Sequence, residues 1–512
     1  MSGPARFVSV LDRGERGQPI SDGSLHDLGL DQVLAALHVD DEIMEALRTP
    51  LLRADDVGYR QDVFRDLGDA GVRDALADLA EASRRAAAHR TASARVRQTA
   101  LRDRLHLTAA AAYVRALDAA TDALAPVRSE ALRLLRDHLT ALAASDRVQD
   151  LRDRSARLEQ RWSAVRFALL LQGGRVVVAP FDDEPDLDAE VEAAMAPLGP
   201  PPERARPASA ARTGLLGDGL GSVAEWILDA VTRIEADLFA DLAAFRSDHE
   251  EFLDPALDRF ARELPFYLEI RRLAEELRTT GVSVVLPTVL EDDRTVLLHD
   301  FVDPALALRL RAEDRRPVGN DLELAADERI VVVSGPNQGG KSTAARAFGQ
   351  ILHLAATGCP VPAAVATLPL VDQVLTLFPH EERLDSLAGG LGEEVERMHA
   401  ALARASRRSA LVLNETFAST TAADAELLLT EVLHRIEAIG ALALCVTFLD
   451  EIADLGGPVV SVVAEVDASD TSVRTFTLAR RPADGRAYAR SLAARHGLTG
   501  SAIRARMAEA AR

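Results

Sequence analysis

The feature that most constrains the fold of this chain is an apolar run that leads directly into a glycine loop. Ile330-Val-Val-Val-Ser334 is followed by the pattern Gly335-x-x-x-x-Gly340-Lys341-Ser342, and helical spacing continues from Thr343 to Ala356. A strand, a glycine loop and a helix in this order are typical of a phosphate-binding loop, because backbone N–H groups and the helix N-terminus converge on the phosphates. The sequence therefore predicts an ATP-binding α/β domain, with Lys341 on the outer phosphates and the Ser342 hydroxyl on Mg²⁺.

The use of lysine in this chain supports the same interpretation. The chain holds 59 lysine and arginine residues, and Lys341 is the one lysine among them. A bias that strong would have replaced Lys341 as well, unless arginine cannot act at this position. A compact ammonium fits between phosphate oxygens inside a tight loop, where a planar guanidinium does not.

A second strand is predicted to bring an acid to the same site. Ala410-Leu-Val-Leu is a buried-strand pattern, and Asn414 and Glu415 follow at its carboxyl end, where ligands of α/β domains bind. Glu415 is the candidate catalytic residue, placed to orient or deprotonate the attacking water, and the alternative is an acid that caps a helix. Asn414 stands where the magnesium side normally has aspartate, so we expect it to contact the metal through a bound water.

The apolar patterns divide the chain into a helical part and an α/β part. We predict a helical core or lever region over 1–195 with a small β-hairpin near 166–180, a linker or loop over 196–215 and further lever helices over 216–281. The ATPase domain is expected over 282–512. Near-continuous apolar runs in this last part predict a largely parallel sheet, with strands at 330–333, 371–377, 410–413, 441–446 and 459–466.

Composition limits the possible locations and partners. A net charge of −21 argues against a broad grip on nucleic acid, so any contact with DNA needs a local basic patch. The predicted DNA contacts are Arg84, Arg85, Arg90, Arg95 and Arg97, and a solvated helix face is an equally weighted alternative. The chain has two cysteines, no signal-peptide pattern and no apolar run of about 18 residues. We therefore expect a cytoplasmic protein without a disulfide framework or a membrane partner.

Several of these motifs together resemble the MutS family of DNA mismatch-repair ATPases. The glycine loop is similar to the family's loop, the segment from Asn414 to Thr421 with Asp424 resembles its second motif, and 487–512 is similar to its C-terminal helix-turn-helix. The resemblance implies an ABC-type P-loop ATPase domain after a helical lever region, a homodimer, ATP with Mg²⁺, and DNA as partner. Across the dimer, it implies a trans site of Ser386, Gly389 and Gly390. The nucleotide-binding residues that it implies are Gly335, Pro336, Asn337, Gln338, Gly339, Gly340, Lys341, Ser342, Thr343 and Asn320.

The sequence also departs from this family, both in the parts that read mismatches and at two positions of the ATPase domain. None of the fifteen phenylalanines is followed at the second position by glutamate, and the chain ahead of residue 24 is too short for a mismatch-reading domain. Phe448 stands where the family has a switch histidine, and Pro317 where an aromatic residue stacks on adenine. We therefore expect a MutS-related ATPase that clasps double-stranded or branched DNA in repair or recombination. The alternatives are a nucleotide-gated protein that binds a protein partner with little hydrolysis and, less favoured, a phosphotransferase.

Overall fold

A computed structural model describes residues 7–93, 96–172, 175–183, 222–379, 389–467 and 474–483, together with 498, 500, 503–504 and 506–507. Outside the described residues lie the predicted linker at 196–215 and most of the predicted dimerisation segment at 487–512. The chain divides into two compact units, which are described separately. The first unit is formed by Met1–Phe7, Ala70–Val127 and Arg133–Ala261, and the second by Val8–Asp69, Arg128–Leu132 and Arg262–Arg512.

Fifteen α-helices are assigned among the described residues. They are α1 (Asp22–Leu28), α2 (Leu30–Ala35), α3 (Asp41–Arg48), α4 (Ala54–Asp66), α5 (Ala70–Ser93), α6 (Thr99–Ala123), α7 (Glu130–Ala143), α8 (Asp146–Ser163), α9 (Ser222–Ile234), α10 (Ala236–Asp248), α11 (Pro255–Thr279), α12 (Pro304–Arg311), α13 (Lys341–Ala356), α14 (Gly389–Arg404) and α15 (Ala422–Ile439). No helix within the described ranges is both long enough and apolar enough to span a membrane.

Twelve β-strands are assigned in the same residues. They are β1 (Phe167–Gln172), β2 (Arg175–Pro180), β3 (Thr288–Leu290), β4 (Val296–Phe301), β5 (Asn320–Leu324), β6 (Ile330–Ser334), β7 (Val365–Pro369), β8 (Val374–Leu377), β9 (Ala410–Asn414), β10 (Leu442–Val446), β11 (Val459–Val466) and β12 (Arg474–Arg480). The predicted strand at 371–377 is thus shorter, and β3, β4, β5, β7 and β12 were not predicted.

The first unit is mainly helical. Its long helix α6 packs against α5, α8 and α10, and it buries Leu107, Val114 and Leu117 at the spacing of one helix face. The predicted β-hairpin is present as β1 and β2, which pair antiparallel. A group of rings lies in the core of this unit, where His106 on α6 is 4% exposed and lies 5.3 Å from the ring of Phe252. Burial lowers the pKa of His106 to about 4.

The second unit is built on a six-stranded sheet with the order β12-β11-β6-β10-β9-β8. The five strands from β11 to β8 are parallel, and β12 joins the edge antiparallel to β11. Helix α13 packs on one side of β9 and β10, while α15 contributes Leu429, Leu433 and Ile436 to the core around Leu411 and Leu413. Helices therefore cover the parallel strands as their near-continuous apolar runs require, and the predicted parallel sheet is confirmed.

A second sheet in this unit has the order β3-β7-β4-β5 and mixed strand directions. Its strands are three to six residues long and carry polar positions such as His299 and Asp321. Short strands of this kind lack the continuous apolar signal that marks a doubly covered strand. This is why the sequence pattern indicated the first sheet and missed the second.

The N-terminal residues 8–69 belong to the same compact unit as the sheets, so the division of the chain does not fall at the predicted boundary of 282. Side chains along α13 carry this association: Gln350 donates to the Leu28 carbonyl at 2.6 Å, and His353 lies 2.9 Å from the Leu47 carbonyl. The fully buried Arg60 donates to the Thr357 carbonyl at the end of α13, at 2.7 Å. Arginine is rarely fully buried, and here the backbone carbonyls of Leu11 and Thr357 accept its hydrogen bonds.

Candidate nucleotide-binding site

The glycine loop lies where β6 leaves the middle of the six-stranded sheet. Gly335 has φ = 112° and Gly340 has φ = 91°, both in the left-handed region that favours glycine. A Cβ atom at Gly335 would also meet the Ala464 carbonyl oxygen at 2.9 Å. These two glycines are therefore required by the backbone path, which ends at the N-terminus of α13.

Lys341 is the first residue of α13 and is 5% exposed. Its Nζ donates to the carbonyl oxygens of Gly335 at 2.8 Å and Pro336 at 3.2 Å, and lies 3.5 Å from Oδ1 of Asn337. Burial lowers the pKa of Lys341, while the nearby carboxylate of Glu415 acts in the opposite direction. The ammonium is thus held inside the loop by acceptors that a phosphate oxygen can replace.

The loop forms one wall of a cleft of about 740 Å³. This volume lies in the range of small-molecule and cofactor sites. The cleft brings together most of the predicted nucleotide-binding residues with the predicted catalytic acid. The predicted residues that line the cleft are Asn337, Gln338, Gly339, Gly340, Lys341, Ser342, Thr343, Asn320 and Glu415. Pro317, Val318 and Phe476 also line it.

The end of β9 supplies the polar groups predicted for the metal side. Asn414 is 8% exposed, and its Oδ1 is a buried acceptor without a hydrogen-bond partner within the described part of the chain. An unpaired buried acceptor is costly, and a magnesium-bound water would satisfy it. Ser342 and Asn414 therefore fit a Mg²⁺ ion bound mainly through water and phosphate oxygens. No cluster of three or more His, Cys, Asp or Glu side chains suited to a metal occurs in the described ranges.

Phe476 is a residue of this cleft that the sequence analysis missed. It lies on the edge strand β12, is 47% exposed, and its Cδ1 would be 3.6 Å from a Cβ at Gly340. The available signal was the alternation of polar and apolar residues from Thr475 to Leu478, which is typical of a strand with two different faces. An exposed aromatic ring in this position can stack on a nucleobase.

Asn320 lies at the start of β5, and both ends of its amide are engaged by β12. Its Nδ2 donates to the Phe476 carbonyl at 3.2 Å, and its Oδ1 accepts from the Leu478 N–H at 2.7 Å. The structure thus gives this predicted nucleotide-binding residue a second role, in holding the strand that carries Phe476. Its contact with nucleotide stays a prediction.

The remaining predicted positions differ in how much of them is described. Ser386 lies outside the described residues, and Gly389 and Gly390 are the first two residues of α14. Phe448, in the position of the switch histidine, is 50% exposed and follows β10. The trans site therefore stays a prediction.

The predicted DNA contacts belong to the first unit. Arg84 and Arg85 both pair with Glu81, at 2.9 and 2.7 Å, while Arg97 is exposed. Arg84 is the main cause of the lowered pKa of Glu81. One acid shared by two guanidiniums leaves a local positive charge, so the predicted patch remains a candidate. Outside the described side chains lie Arg90 and Arg95.

Comparison with known proteins finds a match for the part of the chain that carries the glycine loop and Glu415. Residues 331–499 match the family model of MutS domain V. The chain is 29% identical over 227 residues to the DNA mismatch repair protein MutS of Lactobacillus johnsonii, covering 44% of this chain and 25% of that protein. It is 28% identical over 225 residues to MutS of Lactococcus lactis subsp. cremoris, covering 43% and 26%. With MutS of Shouchella clausii the identity is 35% over 139 residues, covering 27% and 16%.

The matched stretch therefore spans about a quarter of the length of the first two relatives. The residues that match the family model include the glycine loop from Gly335 onward, Asn414 and Glu415, and the first unit of this chain lies outside them.

Proposed function

We propose that this chain, whose residues 331–499 match MutS domain V, is a MutS-related ATPase that couples ATP binding and hydrolysis to the clasping of double-stranded or branched DNA. The observation that carries the proposal is the cleft in which the glycine loop, the single lysine Lys341 and the acid Glu415 line one space. We propose DNA repair or recombination as its process and the cytoplasm as its location.

The triphosphate would bind along the glycine loop and the N-terminus of α13. Backbone N–H groups of the loop and the positive end of the helix favour the negative phosphates. Lys341 would exchange its hydrogen bonds with the Gly335 and Pro336 carbonyls for bonds to the outer phosphates. These charge-assisted bonds are stronger than those to neutral carbonyls, and they would stabilise the charge that builds up during phosphoryl transfer. The base of the nucleotide would stack on Phe476.

Glu415 would orient the attacking water and accept its proton. It follows the last residue of β9, and its backbone N–H donates to the Val446 carbonyl of β10 at 2.8 Å. This anchors the start of its loop to the sheet, so its carboxylate is presented at the carboxyl end of the parallel strands. Ser342 and, through water, Asn414 would hold Mg²⁺, which when bound neutralises part of the phosphate charge.

We further propose that the working protein is a homodimer. A turn containing Ser386, Gly389 and Gly390 of a second copy would complete each ATP site, and 487–512 would form the dimer contact. The arginines from Arg84 to Arg97 would meet the phosphate backbone of DNA. This arrangement is supported by the family match and by the basic stretch of the first unit, and protein partners are not specified by either.

The test is the steady-state ATPase rate of the purified chain without DNA and with duplex, mismatched or branched DNA, at a fixed and stated salt concentration. We expect Mg²⁺-dependent turnover that DNA changes, and no turnover in Glu415→Gln. Lys341→Ala serves as the variant that fails to bind ATP. Tight ATP binding with no turnover under any of these conditions would instead support the nucleotide-gated interaction protein.

A further inference from the structure

The loop that carries Glu415 has an unusual backbone. Glu415 has φ = 49° and Phe417 has φ = 61°, so two non-glycine residues within three positions adopt the left-handed conformation. Residues other than glycine pay a steric penalty there, and such conformations persist only where surrounding contacts hold them. The position of the Glu415 carboxylate therefore depends on whatever fixes the loop after it.

One support of this loop is apolar. The Phe417 side chain is 1% exposed and belongs to the core that also contains Met398 and Leu377. This ring anchors the middle of the loop in the protein interior. It leaves the polar backbone atoms around Phe417 in need of partners, because buried N–H groups are rarely left without an acceptor.

The second support is the carboxylate of Glu394 on α14. Its Oε1 accepts from the backbone N–H of Phe417 at 3.3 Å, and its Oε2 accepts from Oγ of Ser419 at 3.2 Å. The two oxygens thus hold the loop at two points that follow Glu415 by two and four residues. Helix α14 is itself held next to the end of β8, because Arg397 on α14 donates to the carbonyl of Phe378, the residue after β8, at 3.2 Å.

We propose that Glu394 is a positioning residue for ATP hydrolysis, which holds the 415–419 loop in the conformation that presents Glu415 to the attacking water. The proposal rests on the proposed ATPase function. Glu394 is absent from the residues that line the nucleotide cleft, so its effect passes through Glu415. Loss of this carboxylate relaxes the strained backbone without touching the glycine loop.

The test is ATP hydrolysis and ATP binding by Glu394→Ala, with Glu396→Ala as the matched control. Glu396 is an exposed glutamate on the same helix. A small displacement of a catalytic group costs up to about a hundredfold in rate. We expect kcat of Glu394→Ala to fall by about ten- to a hundredfold, with the Kd for ATP within about twofold, and Glu396→Ala to match the unaltered protein.

Three further measurements separate positioning from general stability. Glu394→Gln keeps one carbonyl acceptor and is expected to lose less activity than Glu394→Ala, which also covers the case in which the alanine variant folds poorly. Ser419→Ala is expected to slow turnover by itself and to add nothing when combined with Glu394→Ala. In a Glu415→Gln background, which is expected to show no turnover, Glu394→Ala should leave the Kd for ATP unchanged.

The outcomes also distinguish this proposal from the proposed function. If the unaltered protein shows no ATP turnover, the ATPase proposal itself fails. If the unaltered protein hydrolyses ATP and Glu394→Ala has the same kcat, or loses ATP affinity in parallel with kcat, the positioning role of Glu394 is wrong.

Discussion

Replacing Asn414 by aspartate tests whether the metal side of this cleft limits turnover. Asn414 is 8% exposed, its Oδ1 has no partner among the described residues, and Glu415 is its neighbour in sequence. Aspartate has the same shape and adds one negative charge, so the change acts on electrostatics more than on geometry. A hard cation such as Mg²⁺ prefers a charged oxygen.

Without the metal, Asn414→Asp should destabilise the fold. A buried carboxylate without a partner costs roughly 3 to 5 kcal/mol. Burial would raise the folded-state pKa of the new carboxyl above its unfolded value of about 3.9. A raised acid pKa destabilises the protein as pH rises through these values, so the loss should be absent near pH 3 and complete near neutrality. Saturating Mg²⁺ and ATP should restore most of the lost stability, because they bind the folded state.

With the metal bound, Asn414→Asp should bind Mg²⁺ more tightly and hydrolyse ATP faster. A tenfold gain corresponds to about 1.4 kcal/mol of barrier, a modest demand on one charge next to the cation. The opposing effect is repulsion between the new carboxylate and the Glu415 carboxylate, which would impair Glu415 as a base. We expect the first effect to dominate, because bound Mg²⁺ offsets most of that repulsion.

The assay for Asn414→Asp is steady-state ATPase across a Mg²⁺ titration, with thermal unfolding measured in parallel with and without Mg²⁺ and ATP. Glu415→Gln is the control without hydrolysis. A variant slower than the unaltered protein at every Mg²⁺ concentration would refute the idea of a deficient metal site. If the unfolding temperature of the variant is the same with and without Mg²⁺ and ATP, the placement of the ion beside Asn414 is wrong.

Lys341→Arg should bind ATP nearly as poorly as Lys341→Ala in calorimetry despite its charge, because the loop carbonyls that surround Nζ at 2.8 and 3.2 Å leave no room for a guanidinium; normal binding would contradict this. Phe476→Ala should raise the Kd for ATP by about tenfold with little effect on kcat, since stacking on a base contributes about 1 to 3 kcal/mol, and Phe476→Tyr is the matched control. Burial lowers the pKa of His106 to about 4, so its neutral form stabilises the fold above the unfolded pKa of about 6.5 and that contribution falls as pH drops towards 4. Between pH 7 and pH 4, His106 should therefore lower the free energy of unfolding measured in urea by up to about 3 kcal/mol, and His106→Phe should remove this part of the pH dependence.

The nucleotide loop could be predicted from sequence because its determinants are local. The strand was expected at 330–333 and is Ile330–Ser334, and the helix expected from Thr343 to Ala356 begins two residues earlier, at Lys341. Lys341 donates to the Gly335 and Pro336 carbonyls of its own loop, and the left-handed Gly340 directly precedes α13. Local patterns of this kind survive in any tertiary context.

The parts that were missed depend on contacts between residues distant in sequence. Arg60 is fully buried because the Leu11 and Thr357 carbonyls accept its hydrogen bonds, and the second of these is 297 positions away. Nothing in the local pattern around Tyr59 and Arg60 distinguishes this arginine from one on a solvated helix face. For the same reason, the local sequence pattern could not show that residues 8–69 belong to the compact unit of the parallel sheet.

Asn320 shows where a family resemblance stops being informative. The resemblance selects this residue as a nucleotide contact, and it does line the cleft. The sequence, however, could not show that both its amide atoms pair with β12, the strand that carries Phe476. Since the amide has few acceptor and donor sites left for a ligand, Asn320 would affect ATP binding mainly through the position of the Phe476 ring. A residue type at a family position therefore identifies a place in the site, and the hydrogen-bond partners decide what it does there.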